Sequence, residues 1–374
     1  MKAKIGTLSI ERFRSLRQLK LEGLGRVNLI TGRNNTGKSS VLEALRILAA
    51  DASPTVLASI LHYREEDIGE GEEVGRPLDE SLSQLGNLFT GFPRLSEIKE
   101  PIVLETNGGR GAMRLTISLG LFSEERGPEG IRRLVPQQQS LPLAEAELIP
   151  ALVMESGSTR RIIPIESLRR FSRGRVFRSE LPEEPRLPCV FVSPYGGERT
   201  ANLGAMWDKI ALSDREKDVV EALKIIAPEI LAVSMVGGEP QRQARTAIVR
   251  CSGFRRPVPL RSFGDGLNRL FGIVLSLVNA KDGLLLVDAF ENGMHFTVQL
   301  DVWRGIFRLS RLLNVQVFAT SHSWDAIGAF QKASGEDPEV GVLVRLTRKG
   351  ESVIPTLFQE KELGVATRDR IEVR

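Results

Sequence analysis

The sequence predicts an α/β protein with a central, mostly parallel sheet and flanking helices. An antiparallel β element is expected at the N-terminus, and an α+β subdomain is inserted after the first helix. Three observations carry this. A glycine-rich loop, Gly32-Arg33-Asn34-Asn35-Thr36-Gly37-Lys38-Ser39-Ser40, joins an apolar strand-like run to a helical pattern. The apolar run over residues 283–287 stops at Asp288, and the run over 314–321 stops at His322. Apolar strands separated by helical stretches indicate a sheet covered on both faces.

Taken in order, residues 5–16 alternate at period two and read as a strand. Residues 17–24 alternate again, with Leu19, Leu21 and Leu24 on the apolar side. Two antiparallel strands thus precede the loop strand at 27–31. Phe13 lies between Arg12 and Arg14. An aromatic ring and a guanidinium there can flank a nucleotide base or phosphate; a strand end with one core Phe is the other reading. The loop then fills every position of G-x-x-x-x-G-K-[ST]. Glycines let successive N–H groups turn inward toward phosphate oxygens, and the helix start adds donors and partial positive charge. Residues Arg33 to Ser40 would cradle ATP, with Lys38 on the β- and γ-phosphates and the Ser39 hydroxyl on Mg²⁺. Val41, Leu42, Ala44, Leu45 and Leu48 give the following helix one apolar face.

The character changes at Asp51-Ala52-Ser53-Pro54, so residues 1–53 read as an N-terminal lobe and 54–187 as an inserted subdomain. The insert holds an acidic run at 65–73, glycine patches, a polar spacer at 136–139, and strand-like pieces at 102–105 and 113–121. Neither an internal repeat nor a heptad run is found, so no long coiled-coil arm is expected. Residues 188–374 form a C-terminal lobe. There 190–193 and 248–251 read as strands and 207–231 as largely helical, with Ser213 to Glu216 offering an N-terminal cap. Residues 342–346 and 352–357 resemble a closing hairpin.

At 374 residues the chain suits one large α/β domain with an insertion, or two lobes. Hydrophobic residues at 41% and charged residues at 26% describe a soluble globular protein. No apolar run is long enough for a bilayer and no signal-peptide core follows Met1, so a cytoplasmic protein without membrane contact is expected. Cys189 and Cys251 lie in apolar runs and read as reduced, buried thiols. A net charge of +4 permits nucleic-acid binding without establishing it. Seven arginines between Arg160 and Arg178 can meet a DNA backbone or form a solvated face.

Asp288, at the end of an apolar strand, is the expected Mg²⁺ partner of Ser39. His322, in Thr320-Ser321-His322-Ser323, can bond the γ-phosphate or the attacking water, or simply occupy a polar turn. Ser262-Phe263-Gly264-Asp265-Gly266 opens an apolar helical run and forms a second anion site. With one phosphate loop already present, its sensible use is to close over a partner chain's nucleotide.

In this order the motifs resemble the ABC-class ATPase heads. They are most similar to the OLD family and related bacterial anti-phage defence ATPases. Asp288-Ala289-Phe290-Glu291-Asn292-Gly293-Met294-His295 resembles the family's "DE-x-ENGLH" box, 320–323 resembles its "TTHS", and 262–266 its signature. The resemblance covers the first ~50 residues and roughly 188–330. It implies a head-to-tail homodimer, or a higher homo-oligomer built from it, sandwiching ATP. Ser262 and Gly264 would touch the γ-phosphate in trans. It also implies a separate Toprim-like nuclease as effector, as in two-component systems of the PARIS type. A RecF/SMC-like DNA-repair ATPase that binds DNA directly is the alternative. Gln84 and Gln137 to Gln139 are candidates for a Q-loop.

One position departs from the family. Ala289 stands where the family has the glutamate that positions and deprotonates water, and losing a general base costs ~10²–10⁴-fold. Glu291 matches a different slot of the box. Either a deliberate Glu→Ala exchange that traps ATP, or a natural binder switched by ATP occupancy, accounts for this. Both imply ATP binding, stable dimerisation and poor turnover.

Overall fold

The computed structural model describes residues 3–66, 83–109, 111–126, 132–136, 149–172, 185–194, 200–224, 227–237, 245–336, 341–359 and 362–365. The period-two segments pair as expected. β1 (Thr7–Phe13) and β2 (Leu16–Glu22) run antiparallel, with Leu8 opposite Leu21 and Ile10 opposite Leu19. All four are buried, forming one side of a core. β3 (Val27–Gly32) is buried at every position and leads into α1 (Lys38–Ala49), followed by α2 (Pro54–Tyr63).

The inserted region is mainly antiparallel sheet. β4 (Ile102–Gly108), β5 (Gly111–Arg126), β6 (Arg132–Pro136), β7 (Ile149–Ser156) and β8 (Thr159–Pro164) extend the first hairpin in the order β2-β1-β4-β5-β7-β8, with β6 also on β5. β1 and β2, from residues 1–53, therefore share a sheet with strands from 54–187. α3 (Ile165–Ser172) closes this region. Gln137 to Gln139, most of the acidic run and the end of the arginine stretch lie outside the described residues; the backbone at Gln84 sits in a 3-10 turn.

The C-terminal region builds the second sheet. β9 (Cys189–Val192) is followed by α4 (Thr200–Asp208) and α5 (Asp214–Leu223). The expected single helical stretch at 207–231 is instead two helices and a strand. β10 (Ile230–Val236) pairs with β11 (Thr246–Cys251), and β12 (Val258–Pro259) completes a small antiparallel sheet. Nor does Ser213 cap α5 with its side chain. Its hydroxyl donates to Ile210 O, while Glu216 accepts from the Leu212 N–H at 2.9 Å.

α6 (Asp265–Asn279), β13 (Leu284–Val287), α7 (Phe296–Leu312), β14 (Gln316–Thr320) and α8 (Trp324–Gly335) complete the alternation, and β15 (Gly341–Lys349) and β16 (Ser352–Phe358) form the closing hairpin. The sheet order is β16-β15-β3-β14-β13-β9, with every pair parallel except β15–β16. The carboxyl ends of β3, β14 and β13 are therefore neighbours, which is where ligands settle in such sheets.

α1 lies between the two sheets and touches strands of both. That explains a departure from the amphipathic reading. Ser40, Glu43 and Ile47 are buried along with the expected apolar face. A single side chain bolts the sheets together nearby. Gln316, 2% exposed, donates through Nε2 to Ile5 O and Gly25 O, both at 2.8 Å, and accepts the Ile5 N–H at 2.8 Å. Gln316→Ala leaves buried backbone groups of Ile5 unpaired and is expected to destabilise by ~2–3 kcal/mol. A lowered thermal midpoint checks this; an unchanged midpoint means that water or a shifted backbone takes over the bonds.

Both cysteines are free; Cys251 is buried and Cys189 half-buried. Burial raises both thiol pKa values, that of Cys189 to about 12. No helix among the described residues is long and apolar enough to cross a membrane.

Candidate functional site

The phosphate loop folds as its glycines require. Gly37 adopts φ +88° as the cap of α1, and a Cβ there would come within 2.6 Å of the Leu16 side chain. Gly32 has φ +144°, and its Cβ would lie 2.5 Å from Leu346 O. Asn35 is left-handed at φ 62°, which asparagine tolerates better than most residues. Thr36 Oγ1 donates to Arg33 O at 2.9 Å. Lys38 Nζ curls back over the loop and donates to Gly32 O at 2.6 Å and Arg33 O at 2.9 Å. Burial lowers the Lys38 pKa, against the opposing pull of the Asp288 and Glu291 carboxylates.

A cleft of about 420 Å³ opens over this loop, lined by Asn34 to Ser40 together with Asp288, Ala289, Thr320, Ser321 and His322. The parallel register sets up the convergence. β14 lies between β3 and β13, so the residues after all three strands meet at one edge. Asp288 is 6% exposed, and Thr320 Oγ1 donates to its Oδ1 at 2.5 Å. The same Thr320 oxygen accepts the Ala289 N–H at 2.8 Å. Mg²⁺ on nucleotides is commonly held by one or two protein oxygens plus phosphate. The Ser39 hydroxyl and the Asp288 carboxylate, on one cleft, fit that pattern. No cluster of three or more His, Cys, Asp or Glu suited to a metal occurs among the described residues.

The box after Asp288 is a folded unit. Phe290 is fully buried and stacks on Trp303 with centroids 3.9 Å apart. Glu291 Oε1 lies 3.0 Å from His322 Nδ1 and accepts the His322 N–H at 3.1 Å. Asn292 Nδ2 donates to Pro194 O at 2.9 Å. Glu291 therefore orients His322 and does not itself line the cleft. A carboxylate on Nδ1 favours a proton there and leaves Nε2 as acceptor.

Two of the expected nucleotide contacts are placed elsewhere. Phe13 is fully buried in the core between the sheets, with no free face for a base. Arg12 turns away, donating through Nε to Pro101 O at 2.6 Å and pairing with Glu11 at 3.1 Å. The physical reason is the chain reversal after β1, where Arg12 and Arg14 are both left-handed, at φ 58° and 52°. The turn sends Arg14 and Ser15, not Arg12 and Phe13, to the cleft wall. Arg33 is exposed and outside the lining, and its carbonyl accepts from Thr36 and Lys38.

Residues 262–266 also lie outside the cleft. Ser262, Gly264 and Asp265 are exposed and Phe263 and Gly266 half-buried, at the start of α6. A Cβ on Gly266 would lie 3.1 Å from Gly293 O, so the loop seats closely on the box.

Several site residues were not anticipated. Arg14 Nη1 donates to both Glu66 oxygens at 3.0 Å and pairs with Glu43, which accepts from Arg64 Nε at 2.7 Å. Arg14, Arg64 and Glu66 line the cleft, and Glu43 behind them balances the charge of the cluster. Burial raises the Glu66 pKa, opposed by Arg14; burial also disfavours charged Arg64, but Glu43, Glu66 and Asp288 together outweigh it and raise its pKa. Arg269, 3% exposed, reaches from α6 to donate to Asp288 O at 2.9 Å and Ala289 O at 3.2 Å. A charged residue inside an apolar helical run was the available signal for both Glu43 and Arg269.

Over its whole length the chain superimposes on the Smc head domain with an extended coiled coil, bound to the C-terminal domain of ScpA, derived from Pyrococcus furiosus. The TM-score is 0.50 at 9% identity, covering 99% of this chain and 100% of that one. The fold is that of an SMC/ABC-type ATPase head. Residues 157–327 match the family described as "AAA domain, putative AbiEii toxin, Type IV TA system", and residues 3–83 match the "AAA ATPase domain" family. An ATP/GTP phosphatase of Helicobacter pylori is 23% identical over 352 residues, 86% of each chain. A 43-residue stretch, 12% of this chain, is 56% identical to the uncharacterized protein MJECL10 of Methanocaldococcus jannaschii, of which it covers 20%. The sequence matches and the fold together support a P-loop ATPase.

Proposed function

We propose that this chain is an ATP-binding and -hydrolysing switch of a bacterial anti-phage defence system. It dimerises around ATP·Mg and controls a separate effector, a Toprim-like nuclease. The observation that supports this best is one cleft uniting the phosphate loop, Asp288 and His322, with Ala289 at the position beside the metal-binding carboxylate. Backbone amides of 34–40 and Lys38 hold the phosphates. Ser39 and Asp288 hold Mg²⁺. His322, oriented by Glu291, faces the γ-phosphate and water. The chain's own signature, exposed and outside its own cleft, is free to cover the nucleotide of a second copy. Without a carboxylate at 289 the ATP state is long-lived, which suits a switch read by occupancy. The defence context draws support from the AbiEii description of the family matched over 157–327. On this reading 1–53 and 188–374 carry the phosphate- and metal-binding motifs of the head, and the region 54–187 adds part of the cleft wall through Arg64, Glu66 and Phe92.

The test is the mass of the purified chain in solution. With ATP·Mg it is expected to double, and to return to the monomer value when nucleotide is removed. A chain that neither retains ATP·Mg nor pairs in its presence sinks the proposal. Affinity purification from the native operon is expected to recover a small nuclease-like protein. Its absence, with salt-dependent DNA binding by the chain alone, overturns the effector assignment.

A further inference from the structure

The cleft has a polar floor for phosphates and metal, but a nucleotide also brings a flat, apolar base. Among the described lining residues Phe92 is the sole large apolar side chain; Pro194 and Ala289 belong to the strand-end side with Asp288. Phe92 shares a wall of the cleft with Arg14 and Ser15, to whose turn its own loop is hydrogen-bonded. That wall meets the loop at Gly37, whose Cβ position lies 3.3 Å from Ser15 Oγ. The phosphate chain must end near Asp288 and His322, so the base end falls toward this wall.

Phe92 is held out for contact. It is 61% exposed, against the fully buried Phe13 and Phe290. Its φ is +53°, directly after Gly91 at +89°. A bulky residue in the left-handed region is uncommon, and such outliers cluster at ligand clamps. The loop is also fixed from both sides. Thr90 N donates to Arg12 O at 3.1 Å, Thr90 Oγ1 to Leu16 O at 3.2 Å, and Phe92 N to Phe89 O at 3.2 Å. Arg14 N in turn donates to Leu88 O at 2.8 Å. An exposed ring on a hydrogen-bonded mount is preorganised, so little entropy is lost when a ligand stacks on it.

We infer that Phe92 is the base platform of the nucleotide site: its ring stacks on the base of the nucleoside triphosphate whose phosphates the loop holds. This rests on the phosphate-loop reading above, and the test separates the two. The full chain is titrated with ATP·Mg and, separately, with inorganic tripolyphosphate and Mg²⁺, which keeps the phosphates and lacks a base. The wild-type chain is expected to bind ATP more tightly than tripolyphosphate. Phe92→Ala is expected to weaken ATP about 5- to 150-fold, the range of one lost base–aromatic stack, and to leave tripolyphosphate unchanged. Phe92→Trp restores ATP affinity. Equal ATP affinity in wild type and Phe92→Ala overturns the inference, as does a parallel loss of both ligands, which signals a distorted loop. A wild-type chain that binds tripolyphosphate as well as ATP overturns the base platform alone. One that binds neither overturns the phosphate-loop reading with it.

Discussion

Ala289→Glu is expected to raise single-turnover ATP hydrolysis by about 10²–10⁴-fold, the usual contribution of a positioned general base. The local geometry favours the exchange. Ala289 lines the cleft directly after Asp288, so a longer side chain there starts beside the Asp288 carboxylate. Its backbone is fixed by the N–H bond to Thr320 Oγ1 at 2.8 Å and by Arg269 on its carbonyl at 3.2 Å. Ala289 already sits at φ 47°, so the Cβ strain of the left-handed region exists in the present chain and glutamate adds little to it. Among the described residues the other carboxylates nearby are already engaged, Glu66 of the cleft wall by Arg14 at 3.0 Å. Glu291 is engaged with His322 at 3.0 Å, and Asp288 is committed to Thr320 at 2.5 Å. Phosphate release at saturating ATP·Mg measures the effect, and Ala289→Gln separates base chemistry from added bulk. Equal rates for Ala289→Glu and the parent chain would show that water is not activated from this position.

What the sequence made legible was local. The strand–loop–helix around Lys38, and the two apolar strands ending at Asp288 and His322, each declare themselves within ten residues. Periodicity and turn chemistry act at that range. The cleft's other wall was hidden because its parts are far apart in the chain. Arg14, Arg64, Glu66 and Phe92 come from the first hairpin and from the region after α1, and only tertiary packing and ion pairing bring them to the loop. The choice between Arg12 and Arg14 was set by two left-handed residues in a turn that no pattern of side chains marks. Glu43 illustrates a second limit. Its position on α1 reads as a solvent face, yet it is 4% exposed, because a second sheet covers that side. Amphipathicity reports one buried face and is silent when a helix lies between two sheets. Arg269 was hidden likewise, in the otherwise apolar helix α6, one turn after residues 262–266. Its bonds to the Asp288 and Ala289 carbonyls tie the start of α6 to the turn after β13 of the same chain.

Lys38→Ala is expected to lower ATP·Mg affinity by at least ~100-fold and with it the nucleotide-dependent pairing of chains. Hydrogen bonds to a charged group contribute about 1.5–3 kcal/mol each, and Lys38 can offer more than one to the β- and γ-phosphates. The ammonium braces its own loop through Gly32 O at 2.6 Å and Arg33 O at 2.9 Å. The loop is therefore shaped around the cation that the phosphates will meet. Removing the lysine frees two carbonyls, but the turn itself is held by Gly32, Gly37 and the Thr36–Arg33 bond of 2.9 Å, so the fold survives. An unchanged thermal midpoint beside lost binding is the expected pair of results. Lys38→Arg does not rescue, because a planar guanidinium replaces a compact charge inside a loop closed around it. The pH dependence follows from the same burial. Only the charged form binds phosphate, and burial moves the Lys38 pKa below 10.5. ATP affinity therefore begins to fall at a lower pH than an exposed lysine would give, and Lys38→Ala removes that fall. Calorimetric titration of both chains across this range checks it; tight ATP binding by Lys38→Ala would place the triphosphate outside the loop.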